Sequence, residues 1–136
     1  MTKSMAFGVR MGIERYNLDI AARVEEGRTA ANERMAAVFD QTDFIICASN
    51  PDIAFPAHIE SNTRVAGKKA PAGNNGALTI PANISGNPAI SVPAGLVDGM
   101  PVGIQIIGVQ HSDRAVLDLA HLWEQHNPWP LTAPTN

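Results

Sequence analysis

Nucleophilic catalysis needs a hydroxyl or thiol beside a base, so the chain's serines, cysteine, lysines and histidines are the first candidates. The serines are Ser4, Ser49, Ser61, Ser85, Ser91 and Ser112, and no two adjoin. The lysines are Lys3, Lys68 and Lys69. None lies on an apolar segment where desolvation would lower its pKa toward neutrality. Ser91, His111 and Asp113 have the residue types of a triad, but nothing around Ser91 resembles a nucleophile elbow. Cys47 stands in an apolar run and reads as an inert small hydrophobe. The histidines His58, His111, His121 and His126 have no cysteine or clustered carboxylate at metal-ligand spacing, so they read as surface or structural. Gly67-Lys68-Lys69 followed by Gly73-Asn-Asn-Gly76 is loop chemistry without the P-loop order. The residues therefore offer no catalytic residue, no metal site and no cofactor site.

The elements that would position any site are concentrated between Pro81 and Gly108. Ala89 to Val92 and Val102 to Ile107 are β-branched runs bounded by Gly and Pro, which predicts two strands. Asp98-Gly99 between them is turn chemistry, since Gly takes positive φ freely and Asp tolerates it. The connection exceeds two residues, which predicts a hairpin with a loop. Pro93 has no N–H for a ladder and belongs at a strand end or an edge. Asn83, Gly86 and Pro88 read as structural: a backbone-bonding side chain, an unusual dihedral and a stiffened strand entry.

Upstream, residues 1–12 contain Gly8 and Gly12 and are expected as a loose approach. From Ile13 to Phe39 the positions Ile13, Asn17, Ile20 and Val24 stand three or four apart, and Ala31, Met35, Val38 and Phe39 continue the stripe, a helical period. The reading is one long helix through Gly27, at a penalty of up to about 1 kcal/mol against Ala. Phe44-Ile-Ile-Cys47-Ala is a strand-length apolar run, expected to be buried on both faces. From Ile53 to Gly76 there is little period, which predicts a long surface excursion, functional or packed against something else. Leu78 to Ile80 reads as a short strand or the entry to a turn at Asn83. Ser112-Asp113 is an N-cap candidate, followed by Val116, Leu119, Ala120 and Trp123 at helical spacing, with Asn127-Pro128 as the stop. Residues 130–136 are expected as a loose tail.

At 136 residues the chain holds one domain at most. The balance of 10 basic against 13 acidic residues gives no field for nucleic acid. One cysteine excludes an internal disulfide framework and fits a reducing compartment. No apolar run approaches the roughly 20 residues of a membrane span, and the start lacks a signal-peptide core, so a cytoplasmic location is the expectation.

Asn83-x-x-Gly86-x-Pro88-Ala89-x-x-Val92-Pro93-x-Gly95, followed by Gly99-x-Pro101-Val102-Gly103-x-Gln105-x-x-Gly108, resembles the C-terminal part of amidase signature enzymes. The resemblance runs from about Tyr16 to Trp129. That family implies serine amidases with a Ser-Ser-Lys machinery on a Gly/Ser-rich loop, upstream of everything present here. No catalytic residue of the family maps onto this chain. The resemblance places the stretch from Asn74 to Asn83 near the substrate pocket, with Gly76, Ile80 and Asn83 as pocket-wall candidates. Amidotransferase members carry an Asp at the position of Gly76 that holds the glutamine amino group. Its absence implies another amide as substrate.

The resulting expectation is an α/β chain forming the C-terminal part of the amidase signature fold. It has a small mixed sheet with a hairpin, a long N-terminal helix and a C-terminal helix, all in a single partial domain over 1–136. The expected function is the C-terminal portion of a serine-type amidase cleaving non-peptide C–N bonds, inactive alone. The alternative is a non-catalytic interaction module. A half-sheet exposes an edge, so the expected partners are the missing N-terminal amidase part or a second copy.

Overall fold

The computed structural model describes residues 2–71 and 74–130. Two helices come first. Helix α1 spans Lys3–Arg15, and Thr2 caps it by accepting the Met5 N–H at 3.3 Å. This helix replaces the loose approach expected over residues 1–12, because a capped first turn outweighs two glycines. Helix α2 spans Leu18–Phe39 and runs unbroken through Gly27. It starts later than the periodicity indicates. Asn17 is extended, with φ −146°, and its side chain accepts the Ile20 N–H at 3.0 Å. A residue counted on the apolar stripe is thus an N-cap.

Strand β1, Phe44–Ala48, pairs antiparallel with β5, Met100–Gly108, which pairs antiparallel with β4, Ala89–Val97. The order is β1-β5-β4. Both pairings are antiparallel, so the parallel component of the expected mixed sheet is absent among the described residues. The α/β class itself holds. Between β1 and β4 lie a two-stranded ribbon, β2 (Arg64–Val65) with β3 (Lys68–Lys69), a 3-10 turn at Asn74–Gly76, and helix α3, Ile80–Ser85. Part of the surface excursion thus has backbone pairing of its own.

Of the two readings of Leu78 to Ile80, the strand is absent: Leu78 and Thr79 form a turn that leads into α3, and Asn83 lies within that helix rather than in a turn. Pro81 sits in its first turn, where no N–H is needed. Ser85 Oγ donates to Pro81 O at 2.8 Å, and Gly86 ends the helix at φ 68°. The hairpin also closes more tightly than expected. Val97 pairs with Met100, leaving Asp98 and Gly99 as a two-residue turn with φ of 51° and 76°. Such a turn matches the twist of the flanking strands. A register shift between Pro93 and Leu96 lets β4 continue past the proline.

Helix α4, Asp113–His126, lies across β4 and β5 and stops at Asn127. Ser112 is its first flanking residue, but its hydroxyl donates back to Val109 O at 2.7 Å instead of capping α4. Val92, Ile106 and Ala120 form the buried centre, with Phe44, Ile90, Ile104, Leu119 and Trp123 around them. Trp123 Nε1 donates to Pro93 O at 2.9 Å, tying α4 to the outer strand.

β1 is not buried on both faces: Ile46 is 59 % exposed, because α4 covers only the β4–β5 side of the sheet. Helix α2 has no buried residue, and Ile13 and Leu18 are 80 % and 87 % exposed. Among the described residues no helix is long and apolar enough to cross a membrane.

Candidate functional site

The face of the sheet opposite α4 carries a polar row. Cys47, Gln105 and Ser91 stand side by side on β1, β5 and β4. Gln105 is only 5 % exposed, so its amide must find partners inside the protein. Its Nε2 donates to Leu78 O at 3.0 Å and reaches Cys47 Sγ at 3.5 Å. The first bond pins the segment before α3 onto the sheet. The far end of α3 is pinned by Gln110 Nε2, which donates to Ser85 O at 2.6 Å. Asn87 Nδ2 donates to Gly108 O at 2.8 Å, and Gly108 N–H donates to Pro88 O at 2.9 Å. Three side-chain amides therefore fix α3 and its exit against β5.

That clamp holds two of the pocket-wall candidates. Gly76 ends the 3-10 turn, and Ile80 opens α3. A Cβ built on Gly76 would lie 3.2 Å from Ile80 Cδ1, so the two are in contact. Asn83 is exposed in the middle of α3.

A cleft of about 580 Å3 opens beside the turn, between the hairpin and the segment after β1. Asn50, Asp52, Phe55, Asn75, Val97 and Gly103 are among its lining residues. Gly76, Ile80 and Asn83 do not line it, although the neighbouring Asn75 does.

Beside Gly103, one of the residues lining this cleft, Ser49 and Ser91 hydrogen-bond to each other. Among the described residues no base hydrogen-bonds to either hydroxyl. Ser91 thus meets Ser49, while His111 lies in the turn before α4 and Asp113 is exposed in that helix's first turn. Lys68 and Lys69 are exposed on β3. His121 contacts Gln125 and Glu124, and His126 contacts its own helix's Leu122 O, all on the α4 surface. Among the described residues no group of three His, Cys, Asp or Glu could hold a metal.

Gln105, Gln110 and Asn87 carry this positioning, and the sequence pattern assigned none of them a role. Gln105 left a signal: it is the one polar residue within the apolar run Val102 to Ile107. A polar side chain at a buried strand position must be hydrogen-bonded.

Comparison with known proteins places this geometry. The pattern of the Amidase family matches residues 8–117. A glutamyl-tRNA(Gln) amidotransferase subunit of Geobacillus thermodenitrificans is 39 % identical over 112 residues, covering 82 % of this chain and 22 % of that protein. The corresponding protein of Listeria monocytogenes is 35 % identical over the same length. The chain thus spans about a fifth of the length of these relatives. A bacterial aryl acylamidase of the amidase signature family superposes with a TM-score of 0.83 at 25 % identity, over 95 % of this chain and 27 % of that one. The glutamyl-tRNA(Gln) amidotransferase subunit of Thermotoga maritima superposes with a TM-score of 0.63 at 28 % identity, over 95 % and 28 %. With the family pattern covering most of its length and the amidase fold reproduced across nearly all of it, the chain belongs to the amidase family.

Proposed function

We propose that this chain is the C-terminal part of a serine-type amidase acting on non-peptide C–N bonds, as a single partial domain. It supplies sheet, core and one wall of the substrate pocket, while the nucleophile, its relay and its lysine come from amidase polypeptide outside the chain. The observation that carries this reading is the Amidase family match over residues 8–117 of a chain that spans about a fifth of its relatives' length, and among the described residues the Ser49 and Ser91 hydroxyls bond each other and no base. Gly76, Ile80 and Asn83 are the proposed pocket wall. The side chain of Ile80 fills the space beside Gly76, so this part of the wall is apolar, Asn83 is its polar member, and none of the three is a carboxylate that could hold an amino group. An aliphatic or aryl amide fits such a wall better than glutamine does. A cytoplasmic location accompanies the proposal.

The test joins this chain to the N-terminal four-fifths of an amidase relative and measures hydrolysis. The chain alone is expected to release no product from simple amides above background. The joined protein is expected to cleave an aryl or aliphatic amide in preference to glutamine. Serine-dependent activity of the chain alone, or a glutamine preference in the joined protein, would overturn the reading.

A further inference from the structure

Gln105 stands on the central strand of the sheet, in register with Cys47 on one side and Ser91 on the other. Its backbone is held from both sides, and the residue is buried. A donor in such a place is rigid, and whatever it bonds is held to the sheet. Its Nε2 has two partners, Leu78 O at 3.0 Å and Cys47 Sγ at 3.5 Å. Sulfur is the weak acceptor of the two, so the carbonyl takes the main bond.

The stretch to which Leu78 belongs has little else to hold it. Among the described residues, the other hydrogen bonds of residues 74–79 stay within their own turn. Asn74 N–H donates to Pro71 O at 3.3 Å and Ala77 N–H to Asn74 O at 3.0 Å. Thr79 N–H and Oγ1 both donate to Gly76 O, at 3.1 and 3.2 Å. Leu78 O is thus the point at which a hydrogen bond ties this turn to the sheet. It lies two residues from Gly76 and two from Ile80. Gln110 grips Ser85 O at the far end of α3, so it does not stand in for Gln105 at the near end.

We infer that Gln105 is a positioning residue for substrate preference: through Leu78 O it sets how Gly76 and Ile80 stand against the apolar group of an amide substrate. The inference rests on the amidase reading and its pocket wall. A bulky acyl group meets that wall and a small one does not. Loss of the bond therefore changes discrimination between amides and leaves the chemical step alone.

The experiment compares benzamide with acetamide in the joined protein, with Gln105→Met, Gln105→Glu and Trp123→Phe. Gln105→Met keeps the length of the side chain and removes the donor. It is expected to raise the KM for benzamide by about 3- to 10-fold, the scale of one hydrogen bond, with the KM for acetamide and both kcat values unchanged. Gln105→Glu supplies a pH readout. A protonated carboxyl donates to Leu78 O as the amide does, and a carboxylate cannot. Burial raises the pKa of such a carboxyl, which brings the change toward neutral pH. Its benzamide-to-acetamide KM ratio is expected to match the wild type at acid pH and Gln105→Met at alkaline pH, while the wild-type ratio stays level. Trp123→Phe removes the bond from α4 to Pro93 O and is expected to lower stability with the ratio unmoved. An active joined protein whose ratio does not move in Gln105→Met, or moves equally in Trp123→Phe, overturns the inference and leaves the amidase reading standing. So does a Gln105→Glu ratio that is independent of pH. A joined wild type that cleaves neither amide overturns the amidase reading, and the inference with it.

Discussion

Gly108 shows how a single missing methyl group sets the packing of this chain. It closes β5 where α4 begins, and a Cβ there would run into Ser112 Oγ and Val116 Cγ2. Val116 is buried at 3 % exposure and has nowhere to retreat. Gly108→Ala is therefore expected to destabilise the fold by about 1–3 kcal/mol, the range for overpacking a filled site. Urea unfolding followed by Trp123 fluorescence measures it. Gln105 makes the complementary case of a polar group that must stay. Gln105→Leu keeps the volume but leaves Leu78 O without its donor, a loss of about 1–3 kcal/mol. Hydrogen exchange should show faster exchange across residues 77–80 than elsewhere in the same variant. A uniform change across the chain would mean that Gln105 does not clamp this segment.

At the scale of elements, the sheet with α4 and the helical arm α1–α2 are held by different means. The sheet and α4 share a buried centre of Val92, Ile106 and Ala120. Helix α2 has no buried residue and packs only against α3 among the larger contacts. Its stability thus rests on local terms, and an isolated helix is marginal in water. Gly27 sits in its interior with nothing within 4 Å of an added Cβ. Gly27→Ala is expected to stabilise α2 by up to about 1 kcal/mol. The gain should appear as slower amide exchange within residues 18–39, with the urea midpoint of the sheet unmoved. The apolar period of this helix was legible in the sequence, but its true start was not. Asn17 fits a helical stripe by spacing and an N-cap by chemistry, and only the backbone at φ −146° separates the two.

For the whole molecule, the large exposed surface and the uneven packing have a common consequence. Regions with few buried contacts open at low free energy. Trypsin is therefore expected to cut first at the arginines of α1 and α2, namely Arg10, Arg15, Arg23, Arg28 and Arg34, leaving the sheet and α4 as a resistant fragment. Mass spectrometry of a timed digest identifies the first cuts. Early cleavage at Arg114 in α4 instead would mean that the sheet layer is the weaker part.

The sequence by itself determined the family, the α/β class, the strand β1, the two strands of the hairpin and the helix α4. Each of these is written in short-range terms: β-branched runs between turn residues, a helical period, and an ordered set of small residues and prolines. It also determined that no two serines adjoin in the chain. Tertiary structure alone decided that Asp98-Gly99 closes a two-residue turn, because the register shift after Pro93 carries β4 further than its proline permits in isolation. It alone decided that Ile46 faces outward, because burial of β1 depends on how far α4 reaches across the sheet. And it alone decided the role of Gln105, because its partner Leu78 O is brought to it by a chain path of 27 residues that no local pattern encodes.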